Sequence, residues 1–128
     1  LTQLIELTIR DVDSHQDLPH MIRTYLNEHY MQELQQTDVA AVFHMSGPYF
    51  SQYFKQSFGV NYVQYLNSLR IEKAKLLLVT TQNSTESIGA LVGIPNVNYF
   101  FRLFKKTEGC TIREYRKRHT ESKKVHKS

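Results

Sequence analysis

The sequence predicts an all-α fold of seven helices, built as two helix-turn-helix subdomains joined by a long linker helix. Three observations carry this. Apolar residues recur at helical spacing between capping and stop signals, while no segment alternates apolar and polar β-branched residues between turns as a strand would. Two stretches also repeat each other at an offset of fifty: Tyr49, Phe50, Phe54, Lys55, Gly59 and Tyr65 recur as Tyr99, Phe100, Phe104, Lys105, Gly109 and Tyr115. Upstream, Val39-Ala40-Ala41-Val42 faces Ile88-Gly89-Ala90-Leu91 at offset 49, so the second copy has gained one residue. A repeat at this period marks a supersecondary unit used twice, and each copy reads as helix, short turn, helix.

Residues 1–16 alternate weakly and then turn polar, which reads as a linker or the end of an upstream domain. Asp17 suits the start of a first helix with Pro19 in its opening turn, and Ile22, Tyr25, Leu26, His29 and Tyr30 form its apolar stripe. A second, short helix covers 36–43, and His44-Met45 makes the turn. Ser46 caps a third helix, which tolerates Pro48 because the first amides have no intrahelical partner. Gly59 ends it.

Asn61 with Gln64 forms a capping box that opens the linker helix, over 61–80. Its buried face is expected to be Tyr62, Leu66, Leu69, Ala74, Leu77 and Leu78. Ser84 caps a fifth helix, Gly93 turns the chain, and Asn96 caps a sixth helix to about 108. Thr111 with Glu114 forms a second capping box and opens a last helix to about 119. The first helix-turn-helix then occupies 36–59 and the second 84–109 of a domain over 17–119. The basic residues of 120–128 are expected to be a disordered tail.

The 128 residues carry 16 basic and 12 acidic side chains, unevenly placed. Residues 1–45 hold two basic against seven acidic residues; the remainder holds 14 against five. A positive field concentrated on one portion suits a polyanion. No run of about 18 apolar residues is present to span a membrane. A single cysteine, Cys110, precludes an internal disulfide framework and fits a reducing, cytoplasmic compartment. The chain opens on Leu1, not methionine, so a further upstream module is expected.

A helix of a helix-turn-helix fits the major groove, its partner setting the angle. On the third helix Phe50, Tyr53 and Phe54 form the packed side, while Pro48, Ser51, Gln52 and Lys55, at i, i+3, i+4 and i+7, form the other. The sixth helix repeats this with Phe100, Leu103 and Phe104 inside and Asn98, Phe101, Arg102 and Lys105 outside. Two such faces can address successive major-groove segments, roughly 34 Å apart on one side of B-DNA, with some bending of the duplex.

The string Tyr65-Leu66-Asn67-Ser68-Leu69-Arg70-Ile71-Glu72-Lys73-Ala74-Lys75-Leu76-Leu77 resembles the linker helix of the AraC/XylS family of bacterial transcription regulators. The segment 88–116, with Tyr99-Phe100-Phe101-Arg102-Leu103-Phe104-Lys105-Lys106, is similar to that family's C-terminal signature. The resemblance covers about residues 18–118. It implies double-stranded DNA as partner and regulation of transcription, more often activation. It also implies contact with RNA polymerase and an effector or phosphorylation module upstream. Carried over by position, the groove-facing residues are Pro48, Ser51 and Gln52 in the first unit and Val97, Asn98, Phe101 and Arg102 in the second.

The chain departs from the family pattern in four places. Gly93-Ile94 replaces a usual Gly-Phe, keeping an apolar plug of smaller area. Thr111-Ile112-Arg113-Glu114-Tyr115-Arg116 lacks the usual proline but keeps the cap. His44 stands where glycine is common, so a left-handed backbone is expected there. Gln36 replaces an aliphatic residue.

Among the groove-facing residues, Arg102 is the strongest base reader, since a guanidinium can bridge O6 and N7 of guanine. Asn98 could pair with adenine or serve as a cap, and Gln52 could read a base. Phe101 could meet a thymine methyl or pack against its own domain. Lys55, Lys105 and Lys106 suit phosphates, which position without reading sequence. The second unit is therefore expected to supply more of the discrimination.

An enzymatic reading fails on constellation. The six histidines show no H-E-x-x-H or paired-cysteine spacing, and no Gly-rich phosphate loop occurs. No catalytic residue, cofactor or metal is expected. RNA is disfavoured because the aromatics sit at core spacing rather than on a stacking surface. The alternative that survives is a protein-interaction or architectural helical module.

Overall fold

A computed structural model of the chain describes residues 17–127, with side chains described through 120; the linker expected over 1–16 lies outside them. The helices run α1 (Asp17–His29), α2 (Gln36–Val42), α3 (Gly47–Phe58), α4 (Tyr62–Thr80), α5 (Thr85–Leu91), α6 (Val97–Glu108) and α7 (Ile112–Lys127). No strand occurs among the described residues. The chain divides into two compact units between Asn67 and Ser68, inside α4.

The first unit is held by an aromatic cluster. Phe50 and Phe54 are fully buried, as are Ile22 and Leu26 from α1 and Val39 from α2. The Phe54 ring stacks on Phe58 at 4.1 Å and meets Tyr65 edge-on at 5.4 Å. Such pairs contribute about 0.5–1.5 kcal/mol beyond area burial. Tyr62, nearly buried, satisfies its hydroxyl by donating to the Leu34 carbonyl at 3.1 Å. The Arg23 guanidinium lies over the Phe58 ring, 5.3 Å from its centroid.

The second unit repeats the plan around Phe100 and Phe104, with Ile71, Leu78, Ile88 and Val92 also buried. Phe104 meets Tyr115 edge-on at 5.5 Å. Lys75 ties α4 to the end of α6, with Nζ 2.8 Å from Glu72 and 3.0 Å from Glu108. Donation to the Glu72 carboxylate, against partial desolvation and with help from Glu108, holds the Lys75 ammonium above the ordinary lysine range.

Local geometry shows why the repeat slips from 49 to 50. In the first unit Met45 N–H returns to the Ala40 carbonyl at 2.9 Å; in the second, Ile94 N–H returns to Gly89 at 2.8 Å. His44, at φ 59°, occupies the left-handed position expected of it, where the second copy has Gly93 at φ 93°. The extra residue follows this turn, at Pro95. Thereafter Ser46 Oγ accepts from Tyr49 N–H at 3.2 Å, and Asn96 Oδ1 from Tyr99 N–H at 2.9 Å, fifty residues apart. Both following helices close on left-handed glycines, Gly59 and Gly109. Both capping boxes form: Gln64 N–H donates to Asn61 at 2.9 Å, and Glu114 N–H to Thr111 at 3.1 Å.

Two expectations need correction. Helix α4 does not bury one continuous stripe: Tyr62, Leu66, Ala74 and Leu78 are buried as expected, but Leu69 and Leu77 are only half-buried and Ile71 is fully enclosed. At about 100° per residue, Tyr62 and Leu66 lie on one stripe and Ile71, Ala74 and Leu78 on another. The last helix, expected to end near 119, continues as α7 to Lys127. The added segment contains no glycine or proline, and its lysines and glutamate are good helix formers, so nothing local stops the helix.

Candidate nucleic-acid interface

Each unit leaves one helix face uncovered. Burying Phe50 and Phe54 turns Pro48, Ser51, Gln52 and Lys55 to solvent, and all four are exposed. With Gln56 they line a shallow groove. Neither Ser51, Gln52 nor Lys55 bonds to another described side chain, so the ridge stands ready for an outside partner.

On α6, burial of Phe100 and Phe104 likewise exposes Asn98, Phe101, Arg102, Lys105 and Lys106. Val97 is the exception among the expected groove-facing residues, half-buried at the first position of the helix. The capping role considered for Asn98 belongs to Asn96, so the Asn98 amide remains available. Phe101 stays 39% exposed although its ring lies 6.2 Å from that of Phe100. It is packed on one side and open on the other.

Residues not singled out in the sequence complete this surface. A cleft between α6 and α7 is lined by Phe101, Arg102 and Lys105 on one side and Ile112, Arg113 and Lys117 on the other. Thr85, at the start of α5, also reaches it. Arg116 lines the cleft but is committed inward: Nε donates to the Leu78 carbonyl at 3.1 Å and an Nη to Thr81 at 2.7 Å. It thereby satisfies carbonyls at the end of α4, which no intrahelical donor reaches. The i, i+4 spacing of Arg113 and Lys117 was a readable signal for one basic stripe; the inward turn of Arg116 was not.

Two carboxylates sit near these cations. The Glu86 carboxyl is held below the usual range by its own backbone N–H, then by the Thr85 hydroxyl at 3.0 Å, and at longer range by Arg113. The Glu114 carboxyl is lowered first by the Thr111 N–H at 2.8 Å, with Arg118 and Lys105 contributing. Both serve helix starts, where negative charge is favoured. Among the described residues no group of His, Cys, Asp and Glu side chains is arranged to hold a metal ion, and no helix is long and apolar enough to cross a membrane.

Comparison with known proteins places this surface in context. The family model described as a helix-turn-helix domain matches residues 39–118. The chain is 38% identical over 93 residues to an uncharacterized HTH-type transcriptional regulator, YisR, of Bacillus subtilis, a match covering 73% of this chain and 32% of that protein. Among solved structures, it is similar to the C-terminal domain of the two-component response regulator yesN from Fusobacterium nucleatum, at 35% identity and TM-score 0.76, covering 78% of this chain and 98% of that one. A transcriptional regulator from Chromobacterium violaceum, described as containing an AraC-type DNA-binding domain, shares the fold at 24% identity and TM-score 0.71, covering 77% and 88%. The chain spans between a third and a half of the length of the curated relatives it matches.

Proposed function

The chain belongs to the AraC/XylS family of helix-turn-helix transcription regulators, and from that premise we propose that it binds double-stranded DNA sequence-specifically, α3 and α6 each entering a major-groove segment. The observation that carries this reading is the duplicated ridge. In both copies the same helix positions are packed, and the same positions between them are exposed: Pro48, Ser51, Gln52 and Lys55 on α3, Asn98, Phe101, Arg102 and Lys105 on α6.

The side chains available divide the work. Arg102 and Asn98 read base edges, Gln52 reads at the first unit, and Pro48, Ser51, Phe101 and the exposed part of Val97 make close or apolar contact. Lys55, Lys105 and Lys106 meet phosphates. The second unit supplies most of the discrimination, because the exposed face of α3 offers the amides of Gln52 and Gln56 but no guanidinium. In the full-length protein this domain regulates bacterial transcription in the cytoplasm, more often as an activator that contacts RNA polymerase. Effector binding or phosphorylation acts through an upstream module. The domain is a reader, not an enzyme.

Selection of bound duplexes from a random pool tests this directly and reports the separation of the two half-sites. Enriched sequences with two conserved half-sites are expected. Arg102→Ala should then relax preference at one half-site by about 1–3 kcal/mol, and Gln52→Ala should do less at the other. No enrichment, or duplex affinity that is negligible even at low salt, would leave the protein-interaction reading in its place.

A further inference from the structure

We propose that the cleft between α6 and α7 is a second anion site, in which Arg113 and Lys117 hold the sugar–phosphate backbone of DNA beside the groove that α6 enters. This rests on the DNA-binding reading above and adds to it a contact made by the last helix.

The cleft gathers like charge from two directions. Arg102 and Lys105 reach it from α6, and Arg113 and Lys117 from α7 one turn apart. Glu86 and Glu114 lie close enough to feel Arg113 and Lys105 electrostatically, but both carboxylates are already engaged by helix-start donors. Two carboxylates do not neutralise four cations. Bringing those cations together costs repulsion unless an anion enters.

The internal repeat shows that the fold does not require these charges. At offset fifty, Arg102, Arg113 and Lys117 correspond to Gln52, Val63 and Asn67. The first unit builds the same helix pair around its own buried phenylalanines with none of those three cations. The cations of the second unit are therefore an addition to the shared architecture. Arg116 is the contrasting case, because its hydrogen bonds to α4 give it a structural task.

The walls favour a backbone over a free solute. Ile112, 4% exposed, and the Phe101 ring make part of the cleft wall apolar, and charge-assisted hydrogen bonds beside such a wall are stronger than in open water. The cleft shares Phe101, Arg102 and Lys105 with the exposed ridge of α6. A duplex seated on the ridge brings its phosphates to Arg113 and Lys117 without a second docking event.

The test uses the full chain and a duplex recovered by selection, with affinity measured over a range of salt concentrations. Each phosphate contact contributes about 0.9 to the slope of log affinity against log salt. Arg113→Gln and Lys117→Gln should each flatten the slope by about that amount and leave the ranking of operator variants intact. Arg118→Gln, an exposed cation on α7 outside the cleft, should change the slope far less. Melting temperatures should stay at the wild-type value, since both side chains are exposed. Unchanged slopes in the first two variants, or an equal effect of Arg118→Gln, would overturn the cleft assignment while DNA binding stands. A wild-type chain that binds no duplex would instead remove the reading on which the assignment rests.

Discussion

Gly89 shows how much a single position can decide. It is buried in α5, and a β-carbon built there would stand 2.7 Å from Phe100 Cδ2 and 3.0 Å from the Ile94 carbonyl oxygen. Neither neighbour can yield cheaply, since Phe100 is fully enclosed and the carbonyl belongs to the turn itself. The corresponding position of the first copy is Ala40, which is buried and already carries its methyl group. Gly89→Ala should therefore destabilise the chain by about 1–3 kcal/mol through overpacking, although alanine is the better helix former. Urea unfolding would check this, and a stability equal to or above wild type would contradict it. The sequence displayed the Gly89–Ala40 correspondence but not the direction of approach of Phe100, because a repeat aligns positions without measuring the gap between two helices. The left-handed turn was more legible: His44 faces Gly93 across the repeat, and backbone sterics make glycine at one copy informative about the other.

At the scale of the helix, caps were readable and buried faces only partly so. Ser46, Asn96 and the two capping boxes act within four residues, so local chemistry determines them. Helix α4 was harder because it serves two cores. A single periodic stripe drawn through it assigns Leu69 and Leu77 too much burial and omits Ile71, since the apolar phase changes where one unit gives way to the other. The end of α4 was illegible for a different reason: the Leu78 carbonyl in its last turn and the Thr81 carbonyl just past it are satisfied by Arg116, more than thirty residues away. Hydrogen bonds to a charged donor contribute about 1.5–3 kcal/mol, and losing the donor leaves carbonyls unpaired. Arg116→Ala should cost about 2 kcal/mol of stability. Arg116→Lys should recover only part, because an ammonium cannot reproduce the two-pronged geometry of the guanidinium. Thermal unfolding of both variants would decide it, and full recovery with lysine would reduce Arg116 to a simple charge at a helix end.

At the scale of the whole chain, the two units carry different electrostatics on the same architecture. Among residues 17–67 there are two basic and four acidic side chains; among 68–120 there are ten basic and four acidic. Affinity for a polyanion scales with the phosphates neutralised, whereas base reading needs only a few well-placed groups. On the proposed reading, the second unit is therefore expected to supply most of the binding free energy, and the first to add a contact whose strength depends little on salt. Duplexes carrying one half-site each would separate these contributions, with the half-site altered by Arg102→Ala belonging to the second unit and the one altered by Gln52→Ala to the first. The second-unit duplex should bind at low salt and weaken steeply between 50 and 200 mM, on the order of 10³-fold if it makes about six phosphate contacts. The first-unit duplex should bind weakly at every concentration, with a shallow slope. Equal affinities and equal slopes would mean that the charge difference lies away from the DNA, and that the ridges of α3 and α6 share the load evenly.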